Sequence, residues 1–257
     1  MELVLGIAAS LTASAMILFV TVAWRHRAHL RILPLWASGS APVRVSLAAL
    51  LRVQDDDSYV LFHTPYTPGS FGPPGGVFKY DSNGQPVLDR LDFREQRPTG
   101  RASVMRADLR GFIPAKSAPA FMKWFRTGAG RESSRECLLR ELTEELREIG
   151  HPELIALTAN LTFSHVRTVI EPPRRVPARD YRQLRYFEVW DLVVSDTSSL
   201  RLRNELLRLA RNRKESYVAL VSGQDIVNGR RGDALVGPQS AFLIGRRRIR
   251  PDLPPLP

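Results

Sequence analysis

No charged residue interrupts positions 3 to 24, an apolar run of 22 residues. Wound as a helix it would reach about 33 Å, against a hydrocarbon core of about 30 Å, which predicts a membrane-spanning anchor. A cleaved leader is the competing reading, with Ala13-Ser14-Ala15 as a small-residue cleavage site. No Lys or Arg precedes the run, however, and apolar residues continue from Ile17 to Val22. Arg25, Arg27 and Arg31 follow directly, so the positive charge predicts a single pass with the C-terminal domain in the cytoplasm. Gly6, Ser10 and Ser14 recur at four-residue spacing, a small-residue face that favours lateral association and hence a homo-oligomer.

Residues 25–42 are a basic linker containing Pro34 and Pro42. Residues 43–53 and 58–64 are β-rich runs around Asp55-Asp56-Asp57, which predicts a hairpin. Residues 65–76 hold four prolines and four glycines, a loop in which backbone can approach a ligand closely. Residues 81–110 are polar, with Asn83-Gly84 and Pro98, and predict a long excursion with weak strands. Residues 118–126 predict a short helix whose Phe121, Met122, Trp124 and Phe125 are core. Ser133 followed by Glu136 is a capping box, so a helix starts near Ser134 and stops before Gly150 and Pro152. Residues 161–170 and 183–194 predict strands joined by a loop of Pro172, Pro173, Arg174, Arg175 and Pro177. A basic amphipathic helix over 200–214, a strand over 216–221 and a disordered basic, proline-rich tail over 246–257 complete the chain. The order predicts a mixed α/β domain over 43–245 with flanking helices, interrupted around 77–131.

Composition narrows the class. The 37 Lys and Arg against 26 Asp and Glu leave a charge of +11, and one cysteine, Cys137, excludes an internal disulfide. Five scattered histidines and no second cysteine exclude a zinc finger. A lone thiol agrees with a reducing compartment.

The helix that follows Ser133 carries the most pointed chemistry. At 100° per residue Leu138, Leu142, Leu146 and Ile149 share one arc, and Glu141, Glu144, Glu145 and Glu148 share its neighbour. Like charges three and four residues apart repel by a few tenths of a kcal/mol per pair. A divalent cation would relieve that repulsion, and hard cations such as Mg²⁺ take carboxylate and phosphate oxygens. Ion pairs with Arg135, Arg140 and Arg147 would relieve it too, leaving a solvated acidic face as the alternative.

The residues Arg140-Glu141-Leu142-Thr143-Glu144-Glu145, with Glu132 eight positions before Arg140, resemble the Nudix box, and Pro74-Gly75-Gly76 resembles the Pro-Gly-Gly that ends a strand at the Nudix site. The resemblance implies that Glu141, Glu144 and Glu145 ligate divalent metal on a pyrophosphate, that one of them acts as base, and that Arg140 orients them. Arg126 and Arg147 stand where the box would open and close with glycine, and 55 residues separate Gly76 from Glu132. The membrane span, the long insertion and the Trp124-Phe125 and Gly130-Arg131-Glu132 sequences are similar to the Nudix-domain proteins associated with CD-NTases, the cGAS-like synthases of bacterial CBASS anti-phage operons. That likeness implies an effector at the bacterial inner membrane that senses a cyclic or other nucleotide-derived ligand. A Mg²⁺-dependent Nudix hydrolase of nucleoside diphosphate derivatives is one alternative, and a non-catalytic basic module assembling at the membrane is another.

Basic groups elsewhere fit an anionic ligand or an anionic lipid surface better than a stable nucleic-acid partner. Arg182 and Arg185, interleaved with Tyr181, Tyr186, Phe187 and Trp190, are candidate ligand contacts, although period two assigns at least one of these faces to the core. Arg201, Arg203, Arg208, Arg211, Arg213 and Lys214 on one helix, with Arg246, Arg247, Arg248 and Arg250 in the tail, predict apposition to a membrane.

Overall fold

The computed structural model describes residues 41–64, 67–96, 106–177, 179–212 and 214–252. Strand β1 (Pro42–Arg52) first alternates, burying Val43, Val45 and Leu47, and is then buried on both faces from Ala48 to Leu51. Such a strand belongs inside a sheet covered on both sides. β9 (Arg182–Val193) runs parallel along one edge of β1, from Val43 opposite Arg182 to Arg52 opposite Asp191, and β8 (Thr162–Arg175) pairs antiparallel beyond it. The other edge of β1 is shared: β7 (Arg110–Pro114) takes its first half and β5 (Gly75–Val77) its second, with β6 (Arg94–Glu95) outside β7.

A second sheet runs β10 (Val218–Ser222), β3 (Ser58–His63), β4 (Ser70–Gly72), β12 (Ala234–Val236) and β11 (Arg230–Arg231), with β2 (Gln54–Asp55) also on β3. The hairpin expected over 43–64 is therefore shortened. β2 and β3 turn at Asp56 (φ 51°), whereas β1 and β3 lie in different sheets, and the polar triplet marks where the chain changes sheet.

The excursion after β5 holds α1 (Gln85–Arg90) and α2 (Ala118–Thr127). Its aromatics fasten it to the core: Phe121 and Phe125 are fully buried, and the Phe125 ring lies 5.2 Å from Phe78 and 5.0 Å from Tyr186. Helix α3 (Ser134–Glu148) starts at the predicted capping box, in which Ser133 accepts from Glu136 N–H and Glu136 accepts from Ser133 N–H. Such a cap contributes about 1 kcal/mol. Its Leu138, Leu142 and Leu146 are buried against the first sheet, each contributing about 1.5–3 kcal/mol. α4 (Thr197–Arg211), α5 (Gly223–Asn228) and α6 (Ala241–Ile244) complete the elements.

Several expectations are corrected. β8 continues through Pro172 and Pro173 to Arg175, because an irregularity between Glu171 and Arg174 takes the two prolines out of the ladder, where their missing N–H groups cost nothing. Part of the basic face of α4 is engaged: Arg203 and Arg211 both pair with Asp55, and Arg208 pairs with Glu205. The described part of the tail lies on the domain, with Arg248 holding Glu171 at 2.6 Å and Arg250 donating to Val227 O at 2.9 Å.

The membrane-spanning helix expected over 3–24, with its small-residue face, lies outside the described residues. Among the described residues no helix is long and apolar enough to cross a membrane. Among the described residues the fold is accordingly an α/β mixed sheet with flanking helices, and the transmembrane helix assigned to it is not among them. No described helix supports the membrane partner, the single-pass inner-membrane topology or the effector role at that membrane, and two arginines of the basic module expected to assemble there, Arg203 and Arg211, are drawn onto Asp55.

Candidate functional site

β1 and α3 position the site between them. Ala49 and Leu50 of β1 stand opposite Gly76 and Gly75, and α3 packs its carboxylate side over the same short strand. Gly75 has φ 119°, and a Cβ there would lie 2.3 Å from Ala49 O. A Cβ on Gly76 would lie 2.1 Å from the Glu141 carboxyl carbon. Two residues without side chains thus allow the helix carboxylates to sit directly on backbone.

Arg140 ties the arrangement together. Its Nε donates to Glu132 Oε1 at 2.6 Å and its Nη2 to Glu132 Oε2 at 2.9 Å, a two-pronged pair, while Nη1 donates to Glu141 Oε1 at 2.7 Å. Nη2 also donates to Val77 O at 2.9 Å. Burial works against the Arg140 charge, but Glu132 and Glu141 more than offset it and hold the guanidinium protonated. Because the pair is about 20 % exposed on each side, Arg140→Ala would strand two carboxylates facing each other. We expect a loss of about 3 kcal/mol in urea unfolding, and a smaller loss for Arg140→Lys, which keeps charge without the fork.

The long insertion does not separate loop from helix. Lys79 N–H donates to Glu132 Oε2 at 2.9 Å, Glu132 N–H donates to Lys79 O at 2.9 Å, and Tyr80 pairs with Arg131. The excursion closes at its base, so Gly76 and Glu132 meet as they would across a short turn. Its return strand fills the gap on the β1 edge: Leu47 N–H donates to Leu109 O, and Leu109 N–H donates to Phe78 O.

A cavity of about 290 Å³ opens over these elements. Glu141, Glu144, Glu145 and Glu148 of α3 line it with Gly75, Gly76 and Arg140. Glu145 Oε2 accepts from Gly75 N–H at 3.0 Å. Desolvation first, and then the charge of Glu141, hold Glu145 well above the usual carboxylate range despite that hydrogen bond. Burial also raises Glu141 against the pull of Arg140, and burial followed by the charge of Glu144 raises Glu148. Carboxylates raised in the folded state stabilise it below their unfolded value near 4.5, and that contribution fades as pH climbs through the folded value. Glu145→Gln should therefore match wild type in thermal stability below about pH 4.5 and exceed it increasingly toward neutrality, as differential melts across pH would record.

Among the described residues no three Asp, Glu, His or Cys side chains converge to cage a metal. The donor set still fits one cation. It is all carboxylate oxygen, its members repel one another, and Mg²⁺ usually takes one or two carboxylates and completes its shell with water and substrate phosphate. Arg182 and Arg185 lie elsewhere. Arg182 opens β9 opposite Val43, and Arg185 pairs with Glu171 and Asp252, so neither lines the cavity. The cavity wall also holds His63, Lys79, Asp108, Arg110 and Gln239, which sequence reading did not single out. Lys79 stands three residues after the double glycine and carried that much signal; the others lie in loops or strands without a local pattern.

A family model described as the SMODS-associated NUDIX domain matches residues 42–244. The chain belongs to this family. A comparison with curated proteins finds no match. The SMODS-associated Nudix domain thus spans both sheets, and its Glu-rich helix is α3. Arg147, at the place of the closing glycine, lies within the last turn of α3, and Gly150 makes the left-handed turn beyond it (φ 84°).

Proposed function

We propose that this Nudix domain hydrolyses the diphosphate linkage of nucleoside diphosphate derivatives with Mg²⁺. The observation that carries the reading is the gathering of Glu141, Glu144 and Glu145 around one cavity with the Gly75-Gly76 backbone, where burial raises Glu141 and Glu145 above the usual carboxylate range and a cation would oppose that shift. Glu141 and Glu145 would hold the ion, which supplies charge neutralisation on the phosphate and polarisation of phosphorus. Gly75 N–H fixes one oxygen of Glu145 and leaves the other for binding. Arg140, itself gripped by Glu132, fixes Glu141 in the same way. Glu144 is the more accessible carboxylate, 39 % exposed against 17 % for Glu141, and takes the proton of the attacking water. The water oxygen ends on phosphorus as the bridging P–O bond breaks.

The test is incubation of the full chain with a panel of nucleoside diphosphate derivatives in Mg²⁺ or in EDTA. Nucleoside monophosphate should appear in Mg²⁺ alone. Absence of turnover across the panel overturns the proposal.

A further inference from the structure

The first sheet gathers arginines on one face. Ser46 of β1 stands opposite Arg110 of β7 on one side and Arg185 of β9 on the other, and Arg44, two residues back along β1, stands between Phe112 and Gln183. Residues directly opposed across a sheet, and those two apart on one strand, share a face. Three guanidinium groups from three neighbouring strands are thus placed around one small side chain.

Their charges are matched unevenly. Arg185 and Arg248 share two carboxylates: Arg248 Nε holds Glu171 at 2.6 Å, Arg248 Nη1 holds Asp252 at 2.8 Å, and Arg185 reaches both acids. Arg110 has Asp108 nearby. Half-buried Arg44 has no such partner. Among the described residues its side chain donates one hydrogen bond, from Nε to the neutral Gln96 Oε1 at 2.7 Å, and no carboxylate pairs with it. Burial first, then Arg110 and Arg185, bring its pKa down to about 10, and Tyr181 and Asp252 oppose them only in part.

Asp252 is the member that can leave. Its side chain is 53 % exposed, whereas that of Arg185 beneath it is 19 % exposed. Arg248 stays fastened to Glu171 by two hydrogen bonds and Arg250 to Val227 O, so Asp252 lies beyond the last of these anchors. A carboxylate brings one charge and leaves Arg44 unmatched. A phosphate group brings about two charges and three acceptor oxygens, enough for Arg44 and Arg185 together, and guanidinium forks match its geometry.

We infer that Arg44, Arg110 and Arg185 form a phosphate-binding site on the first sheet, which a phosphate monoester or free phosphate enters by displacing Asp252 from Arg185. The site meets the carboxylate cavity only at Arg110, which lines that cavity, and it needs no metal, so it does not rest on the hydrolase reading.

Calorimetry on the full chain in EDTA, with inorganic phosphate and with AMP as probes, tests it. EDTA removes the cation through which the α3 carboxylates would take a phosphate, so the two readings fail separately. Wild type should bind phosphate. Arg44→Gln should weaken that binding by about tenfold or more, the loss of a hydrogen bond from a charged donor. It should melt no lower than wild type in the absence of phosphate, because the charge it removes lacks a carboxylate. Asp252→Asn should tighten binding by about fivefold, since a half-exposed ion pair no longer has to break. Arg201→Gln, the same change of charge on exposed α4, should leave affinity unchanged. AMP affinity that follows the same pattern identifies a monoester as the ligand; AMP affinity indifferent to Arg44 identifies free phosphate. No phosphate binding by wild type, equal losses in Arg44→Gln and Arg201→Gln, no gain in Asp252→Asn, or a lower melting temperature for Arg44→Gln overturns the inference.

Discussion

Gly75→Ala should cost the domain about 3 kcal/mol or more, while Gly76→Ala, one residue on, should leave most of the stability and remove most of the activity. The difference lies in what each new methyl meets. At Gly75 it meets backbone, Ala49 O at 2.3 Å, in a conformation (φ 119°) that residues with side chains rarely adopt. Neither can move without parting β5 from β1, so strain and lost pairing add. At Gly76 the nearest atoms the methyl meets are those of the Glu141 carboxylate, which can swing aside by breaking its bond to Arg140 Nη1. Stability then falls by about 1 kcal/mol, the worth of that hydrogen bond. The carboxylate, however, leaves the position from which it would act, and misplacement by an ångström costs on the order of a hundredfold in rate. Urea unfolding and turnover, measured on both variants, should separate in this crossed way.

Glu145→Gln carries the second large effect, in the opposite sense for the two properties. Glutamine keeps the shape, and its amide oxygen can still accept from Gly75 N–H, so the helix stays docked. It removes a charge that burial and Glu141 disfavour, so at neutral pH the variant should melt higher than wild type. Activity should drop by about a hundredfold or more, because a neutral amide is a poor ligand for a hard cation and cannot neutralise phosphate. A variant that is both more stable and nearly inactive marks Glu145 as functional, since a structural carboxylate would lose stability on neutralisation.

What could be read from the chain in advance was what is encoded locally. The capping box at Ser133 and Glu136, and the three- and four-residue spacing of Leu138, Leu142 and Leu146, lie within one helix, and α3 begins and buries as they require. The core role of Phe121, Met122, Trp124 and Phe125 was legible for the same reason. The closure of the insertion was not, because Lys79 and Glu132 are 53 residues apart and backbone hydrogen bonds between them leave no trace in composition. Asp108 escaped notice because it sits in a short irregular return with no periodicity. Arginine clusters misled: charge patterning counts Arg203 and Arg211 as a basic face, whereas the fold turns both onto Asp55, and Arg185 onto Asp252. The apolar run over 3–24, which invited a membrane reading by its length, lies outside the described residues, and among those residues no helix is long and apolar enough to cross a membrane.

The measurement closest to the central claim is the initial rate of ADP-ribose hydrolysis by the full chain as Mg²⁺ is titrated, for wild type and Glu141→Gln. The account predicts no turnover in EDTA, a saturable rise with Mg²⁺ for wild type, and for the variant a curve displaced to higher Mg²⁺ with a lower plateau. Turnover that ignores Mg²⁺, or a variant curve that overlays wild type, would contradict it.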